Sequence, residues 1–340
     1  MKRLGVVALL LVLVAAGLTG WRQFIRQSMP YRQYQGGEQF VEIEPGMGPG
    51  AIGARLVERG IVRDTLTWRI GLWHSGKATR LKAGEYRFTR PLRVAEVIDT
   101  LARGDVYLRT ITFPEGLTLR QMARVYENKG LGLASDFLAA AADPSPVSTL
   151  DPEARDLEGY LFPDTYAVAR RTTAADLVRQ MVARFRAQWT DDLQTDAAAA
   201  GLTVREAVTL ASLVEKETGK GDERPLVSAV YHNRLRLRMG LQCDPTVIYA
   251  LDRAGRYTGN LTRADLAFDS PYNTYRYAGL PPGPIAAPGR AALVAAVRPA
   301  DVSYTYFVSR NDGSHAFASS LGEHNRNVQT FQKLYFRRTK

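Results

Sequence analysis

The sequence predicts an α+β protein: an N-terminal membrane helix, a small α+β module, and a mostly helical C-terminal domain that carries a short β-hairpin. Three observations predict it. An apolar run opens the chain. A strand, turn, short helix and glycine then recur over residues 38–131. From residue 151 the apolar positions fall at helical spacing, until an Asn-Asp-Gly signal near the end.

The first element is the uncharged stretch Leu4–Trp21, preceded by Lys2 and Arg3 and closed by Arg22 and Arg26. Its 18 residues lie near the lower length for crossing a bilayer. The run exceeds a usual signal-peptide core, which favours a retained anchor over residues 1–21. Ala15, Ala16 and Gly17 leave room for cleavage. Either way the rest of the chain is exported. That removes nucleic acid as a partner although the net charge is +11. Residues 22–37 are polar, end in Gly36-Gly37 and read as a linker.

The module at 38–131 is expected from three copies of one plan. Phe40–Glu44 alternates as a strand, and Ile52, Leu56 and Val57 follow at helical spacing before Gly60. Thr110–Phe113 leads through Pro114-Glu115-Gly116 to the stripe Leu119, Met122, Ala123, Tyr126 and then Gly130. Tyr86–Phe88 precedes Val94, Val97, Ile98 and Leu101 in a looser copy. Such units suit a small carbohydrate-binding module, and equally ordinary α/β packing.

The C-terminal domain is expected over 151–340. Helices are read at about 173–190 and 191–203. The next, 203–218, has Thr203 as N-cap and Glu206 completing a capping box. Glu215 and Glu217 stand two apart on it, so they point about 200° apart. They cannot serve as a glycosidase pair in one cleft. A helix over 224–238 has Pro225 in its first turn, and Asp244-Pro245 reads as N-cap plus first helical position. Gln242, just before it, has no such structural explanation. Tyr272-Asn273-Thr274-Tyr275 alternates rings with an amide and a hydroxyl, which suits sugar faces and substituents, or a structured turn. Tyr304–Val308 and His315–Ala318 flank the hairpin turn, and 323–336 reads as a final helix.

Metal chemistry finds no support. Cys243 is the only cysteine, and His74, His232, His315 and His324 lack ligand spacing. No cofactor is expected.

The stretches LASLVEKET, VYHNRLRLRMGLQCDPTVIYAL, SPYNTYRYAGLPPGPIAAPG and YTYFVSRNDGSHAFASSLGEHN resemble the YceG-like family of endolytic murein transglycosylases. The resemblance extends to the N-terminal run and to AGEYRF. It implies cleavage of peptidoglycan glycan strands at internal MurNAc–GlcNAc β-1,4 bonds. The product end is 1,6-anhydro-MurNAc, and nascent strands would be terminated. It implies a LysM-like character for the module, an inner-membrane location with the catalytic domain in the periplasm, and cell-wall synthases as partners. One acid/base carboxyl suffices for that chemistry. The family's E-x-E motif places it on Glu217. Glu215, Gln242 and Asp244 are expected in support, and Tyr272, Asn273 and Tyr275 on the glycan. A non-catalytic peptidoglycan-binding scaffold is the alternative from another class.

Overall fold

The structure, a computed structural model, describes residues 2–334 of the 340-residue chain. It forms two compact units. The first comprises residues 1–110 with 167–171, and the second 111–166 with 172–340.

In the first unit the elements run α1 (Lys2–Ser28), β1 (Gln39–Ile43), α2 (Pro49–Glu58), α3 (Thr65–Ser75), β2 (Gly84–Phe88) and α4 (Val94–Arg103). β1 and β2 pair antiparallel, with Val41 opposite Tyr86. The helices close over them around Leu56, Trp68, Tyr86, Val97, Ile98 and Leu101. Trp68 is buried because its indole N–H finds the Pro49 carbonyl at 2.8 Å. Glu85, also buried, is matched by Arg109 at 3.3 Å and Arg170 at 2.9 Å.

Two expectations change here. Residues 22–28 are not a linker, since α1 continues through them. The end of that helix docks on α3: the Gln27 amide donates to the Thr67 carbonyl at 2.8 Å, and Arg26 meets Asp64 at 3.1 Å. Tyr31 then bridges to Leu92, and the Tyr34 hydroxyl donates to the Phe88 carbonyl at 2.9 Å. The first unit also ends at Thr110, short of 131. The strand–helix copy at 110–130 therefore packs with the second unit, and only the other two copies share a core. No single helix is long and apolar enough to cross a membrane among the residues whose side chains are described, a set that omits residues 1–6, 8 and 9.

The second unit continues with β3 (Arg109–Thr112), α5 (Leu119–Asn128), α6 (Ala134–Ala141), β4 (Thr165–Val168), α7 (Ala174–Gln188), α8 (Asp191–Ala199) and α9 (Val204–Glu217). Then follow α10 (Arg224–Arg236), α11 (Asp244–Arg253), α12 (Arg290–Val297), β5 (Tyr306–Ser309), β6 (His315–Ala318) and α13 (Leu321–Val328). The boundary between the units falls inside the paired strands β3 and β4. Residues 329–334 continue α13 with a wider winding, and 335–336 of the expected last helix lie outside the described residues.

α9 is the axis of this unit. Its capping box forms as read, with Thr203 Oγ1 accepting from the Glu206 amide at 3.2 Å. Every residue from Ala207 to Val214 is buried, so the helix is enclosed on all sides rather than amphipathic. α8, α10, α11 and α12 pack around it. Ser212 is tolerated there because its hydroxyl donates to the Thr209 carbonyl at 2.7 Å and accepts from the Ile285 amide at 3.1 Å. Gly159 turns beside this helix at φ +83°, with Pro284 where a Cβ would stand. The C-terminal end of α9 is delivered to an open cavity beside the β5–β6 hairpin.

Candidate active site

The cavity has a volume of about 280 Å³ and belongs wholly to the second unit. Glu217 stands in its wall with Gln242, Asp244, Tyr275, Arg234, Phe307, His315 and His324. Glu217 is the last residue of α9. The Tyr231 hydroxyl, from α10, donates to its Oε1 at 2.9 Å. Tyr231 is itself buried.

Burial pushes the Glu217 carboxyl above the usual carboxylate range, and the negative charge of Asp244 adds to that. Hydrogen bonds from Cys243 and Tyr231 and the His315 side chain oppose the rise without cancelling it. The result is a carboxyl that keeps its proton to higher pH than an ordinary glutamate and still opens onto the cavity, which suits a general acid.

Glu215 points elsewhere, as the helix geometry requires. Its side chain is nearly enclosed, lies 3.4 Å from Arg224, and accepts the Gly289 amide at 3.1 Å. It ties the entry of α12 to α9 and does not line the cavity.

Gln242 and Asp244 come from the α10–α11 connection. Gln242 takes a left-handed backbone, φ +49°, which is uncommon outside glycine and clusters at functional sites. Asp244 differs from its expected capping role. Cys243 occupies the N-cap of α11 and no side chain caps it. The Asp244 carboxylate instead accepts the Tyr275 hydroxyl at 2.5 Å.

The aromatic–amide segment divides. Tyr275 lines the cavity. Asn273 does not: it is fully buried, and its amide donates to the Leu266 and Phe268 carbonyls at 3.0 and 2.7 Å. Its Oδ1 accepts the Tyr275 amide at 3.0 Å, so the turn consumes every polar group that a glycan would need. Tyr272 lines a different cleft, with Arg155, Arg205, Arg253 and Pro284. Thr274 is the unexpected member. It is buried and accepts the Cys243 amide at 3.0 Å, and its carbonyl takes the Gln242 amide at 3.2 Å. The segment therefore holds the Gln242 connection in place and presents Tyr275.

Several residues in the wall were not singled out from sequence. Arg234 is buried and fixed by the Thr305 and Leu241 carbonyls, both at 2.7 Å. Asn233, one residue earlier, holds the Val302 and Tyr304 carbonyls at 2.9 and 2.8 Å and so seats the hairpin. Phe307 and His315 come from that hairpin, where β5 and β6 pair antiparallel and set Ser309 opposite His315. Their signal was the long motif containing GSHAFA, which carries no spacing by which the ring could be linked to Glu217. Among the described residues no cluster of His, Cys, Asp or Glu is arranged to hold a metal.

The YceG-like family model matches residues 41–330. The chain belongs to the YceG-like family. The match takes in every residue of the cavity wall. A Bacillus subtilis protein named endolytic murein transglycosylase is 30% identical over 302 residues, covering 84% of this chain and 82% of its own. A Streptococcus pneumoniae protein of the same name is 31% identical over 351 residues, with 94% of this chain matched but only 63% of the relative. A crystal structure of a YceG-like protein from Listeria monocytogenes superposes with a TM-score of 0.58 at 28% identity, over 85% of this chain and 98% of that one. The YceG-like fold is thus shared, and Glu217 lies at the mouth of its enclosed central helix.

Proposed function

We propose that this chain is an endolytic murein transglycosylase with Glu217 as its acid/base. It would cleave the MurNAc–GlcNAc β-1,4 bond within a strand and leave a 1,6-anhydro-MurNAc end. The observation that carries the reading is one carboxyl, raised in pKa by burial, held by Tyr231 and open to a polar-walled cavity. In its protonated form Glu217 gives its proton to the glycosidic oxygen as the bond to the anomeric carbon breaks. The MurNAc 6-hydroxyl then closes on that carbon, and no water enters the products. Tyr275 and Phe307 offer ring faces to the sugars, and Arg234 and Gln242 offer donors to their acetamides.

The uncharged Leu4–Trp21 run supports a retained inner-membrane anchor, with both folded units in the periplasm and cell-wall synthases close by. Cleavage there would end nascent strands. The β1–β2 sheet with its short helices is the part offered as LysM-like and glycan-binding.

Asp244 in the same wall favours one second reading, hydrolysis, with its carboxylate activating a water. Mass spectrometry of strand ends released from purified sacculi separates the two. Anhydro ends support transglycosylation and reducing ends support hydrolysis. No cleavage at all would leave the scaffold reading.

A further inference from the structure

His315 sits in the cavity wall with Glu217, on the first residue of β6. Its ring is fixed from behind. Nδ1 lies 2.7 Å from Glu223 Oε2, and the His315 backbone N–H donates to Glu223 Oε1 at 2.9 Å. The same carboxylate accepts the Thr218 hydroxyl at 3.3 Å, one residue beyond Glu217. One buried side chain therefore sets the end of the catalytic helix and the histidine in register. Burial raises the Glu223 carboxyl, but the hydrogen bonds from His315 outweigh it and keep the group below the usual range. Phe307 meets the ring edge-on, with centroids 5.3 Å apart, and prevents it from turning.

In the neutral ring, a carboxylate at Nδ1 selects the tautomer with the proton there and leaves the lone pair on Nε2. No hydrogen bond to Nε2 is present among the described residues. Asp244, the other base in the wall, already accepts the Tyr275 hydroxyl. Among the described residues, His324, also in the wall, has no carboxylate bonded to its ring, and its buried Nδ1 has no partner.

We propose that His315 is a second catalytic residue, which takes over from Glu217 the base half of the reaction by accepting the proton of the MurNAc 6-hydroxyl, with Glu223 as its positioning residue. The inference rests on the transglycosylase reading. The Glu217 proton goes to the glycosidic oxygen, which leaves with the bonding electron pair. The 6-oxygen forms the new bond to the anomeric carbon, and its proton passes to His315 Nε2. Return of that proton to Glu217 resets both groups, so the cycle consumes no co-reactant.

The test uses the full chain acting on glycan strands from purified sacculi, with release rates and end groups read by mass spectrometry. His315→Gln should lower anhydro-end formation by about 100-fold or more, the range for a lost general base. KM should stay within about twofold of wild type, as a base acts in the transition state and not in binding. Reducing ends should rise as a share of the residual product, because water then competes for the anomeric carbon. Added imidazole should restore part of the rate to His315→Gly. A His315→Gln enzyme with wild-type rate and end groups would overturn the proposal, as would a loss confined to KM. If the variants fail to fold, nitrogen-15 NMR of the wild-type ring decides. A bare Nε2 supports the base role, and an Nε2–H tautomer overturns it. Wild-type strands with no anhydro ends would overturn the functional reading and this one with it, whereas anhydro ends unaffected by His315 variants would overturn this one alone.

Discussion

At the scale of single residues, the site is a problem of keeping one proton on one carboxyl. Burial raises Glu217, and the Tyr231 hydroxyl partly offsets the rise by stabilising the charged form. Tyr231→Phe removes that donor, so the Glu217 pKa should climb further. The acid is active when protonated, hence the high-pH limb of the rate profile should move to higher pH. A limb that moves to lower pH would contradict the assignment of Tyr231. Helix geometry shows in the sequence that Glu215 and Glu217 face apart, but it does not choose between them; that choice rests on the E-x-E motif of the family resemblance. Tyr231 and His315 were not legible. Tyr231 lies 14 residues away on the next helix, and the Glu223 that fixes His315 is 92 residues from it, so only the fold brings them together. Asn273 was legible as a special residue but not in its role, since a buried turn and a sugar contact ask for the same amide.

At the scale of elements, α9 and the hairpin were readable to within a few residues. Thr203 and Glu206 mark the start of α9, and Asn311, with φ +66°, marks the turn before β6. α3 and α12 were not read. α12 is eight residues, half of them alanine, and mostly buried, so it lacks the polar face that gives periodicity. Besides their packing, Glu215 ties α9 to the start of α12 through the Gly289 amide and to the start of α10 through Arg224. Glu215→Ala should cost roughly 3 kcal/mol, as for a buried ion pair stripped of one partner. Thermal unfolding checks this. A variant as stable as wild type would show that the tie is idle. Activity lost by Glu215→Ala while its fold and melting temperature were kept would move the chemistry toward Glu215.

At the scale of the whole molecule, two features reach beyond the cavity. Glu158 is buried in the second unit, where burial pushes its carboxyl up to about 8. Its unfolded value is near 4.5, so between these pH values the folded chain holds a proton that the unfolded chain releases. Stability therefore falls as pH rises from about 4.5 to about 8, by an amount on the order of 5 kcal/mol for this group. Glu158→Gln should flatten that slope in denaturant titrations at several pH values, and an unchanged slope would show that Glu158 is ionised throughout. The second feature is α1, whose docking on α3 through Gln27 and Arg26 replaces a loose tether with a short, fixed one. A retained anchor would then hold the first unit close to the bilayer. Mass spectrometry of the mature chain should find its N-terminus before Ala15, and a start beyond that residue would remove the anchor.

The central claim is that Glu217 supplies the proton for non-hydrolytic strand cleavage. Glu217→Gln keeps the shape and the hydrogen bond from Tyr231 but has no proton to transfer. The direct measurement is digestion of purified glycan strands by the wild-type and Glu217→Gln chains, with both folds checked by circular dichroism and all end groups identified by mass spectrometry. The account predicts internal fragments with 1,6-anhydro ends from the wild type and none from a folded Glu217→Gln. Turnover by that variant, or wild-type fragments carrying only reducing ends, would contradict it.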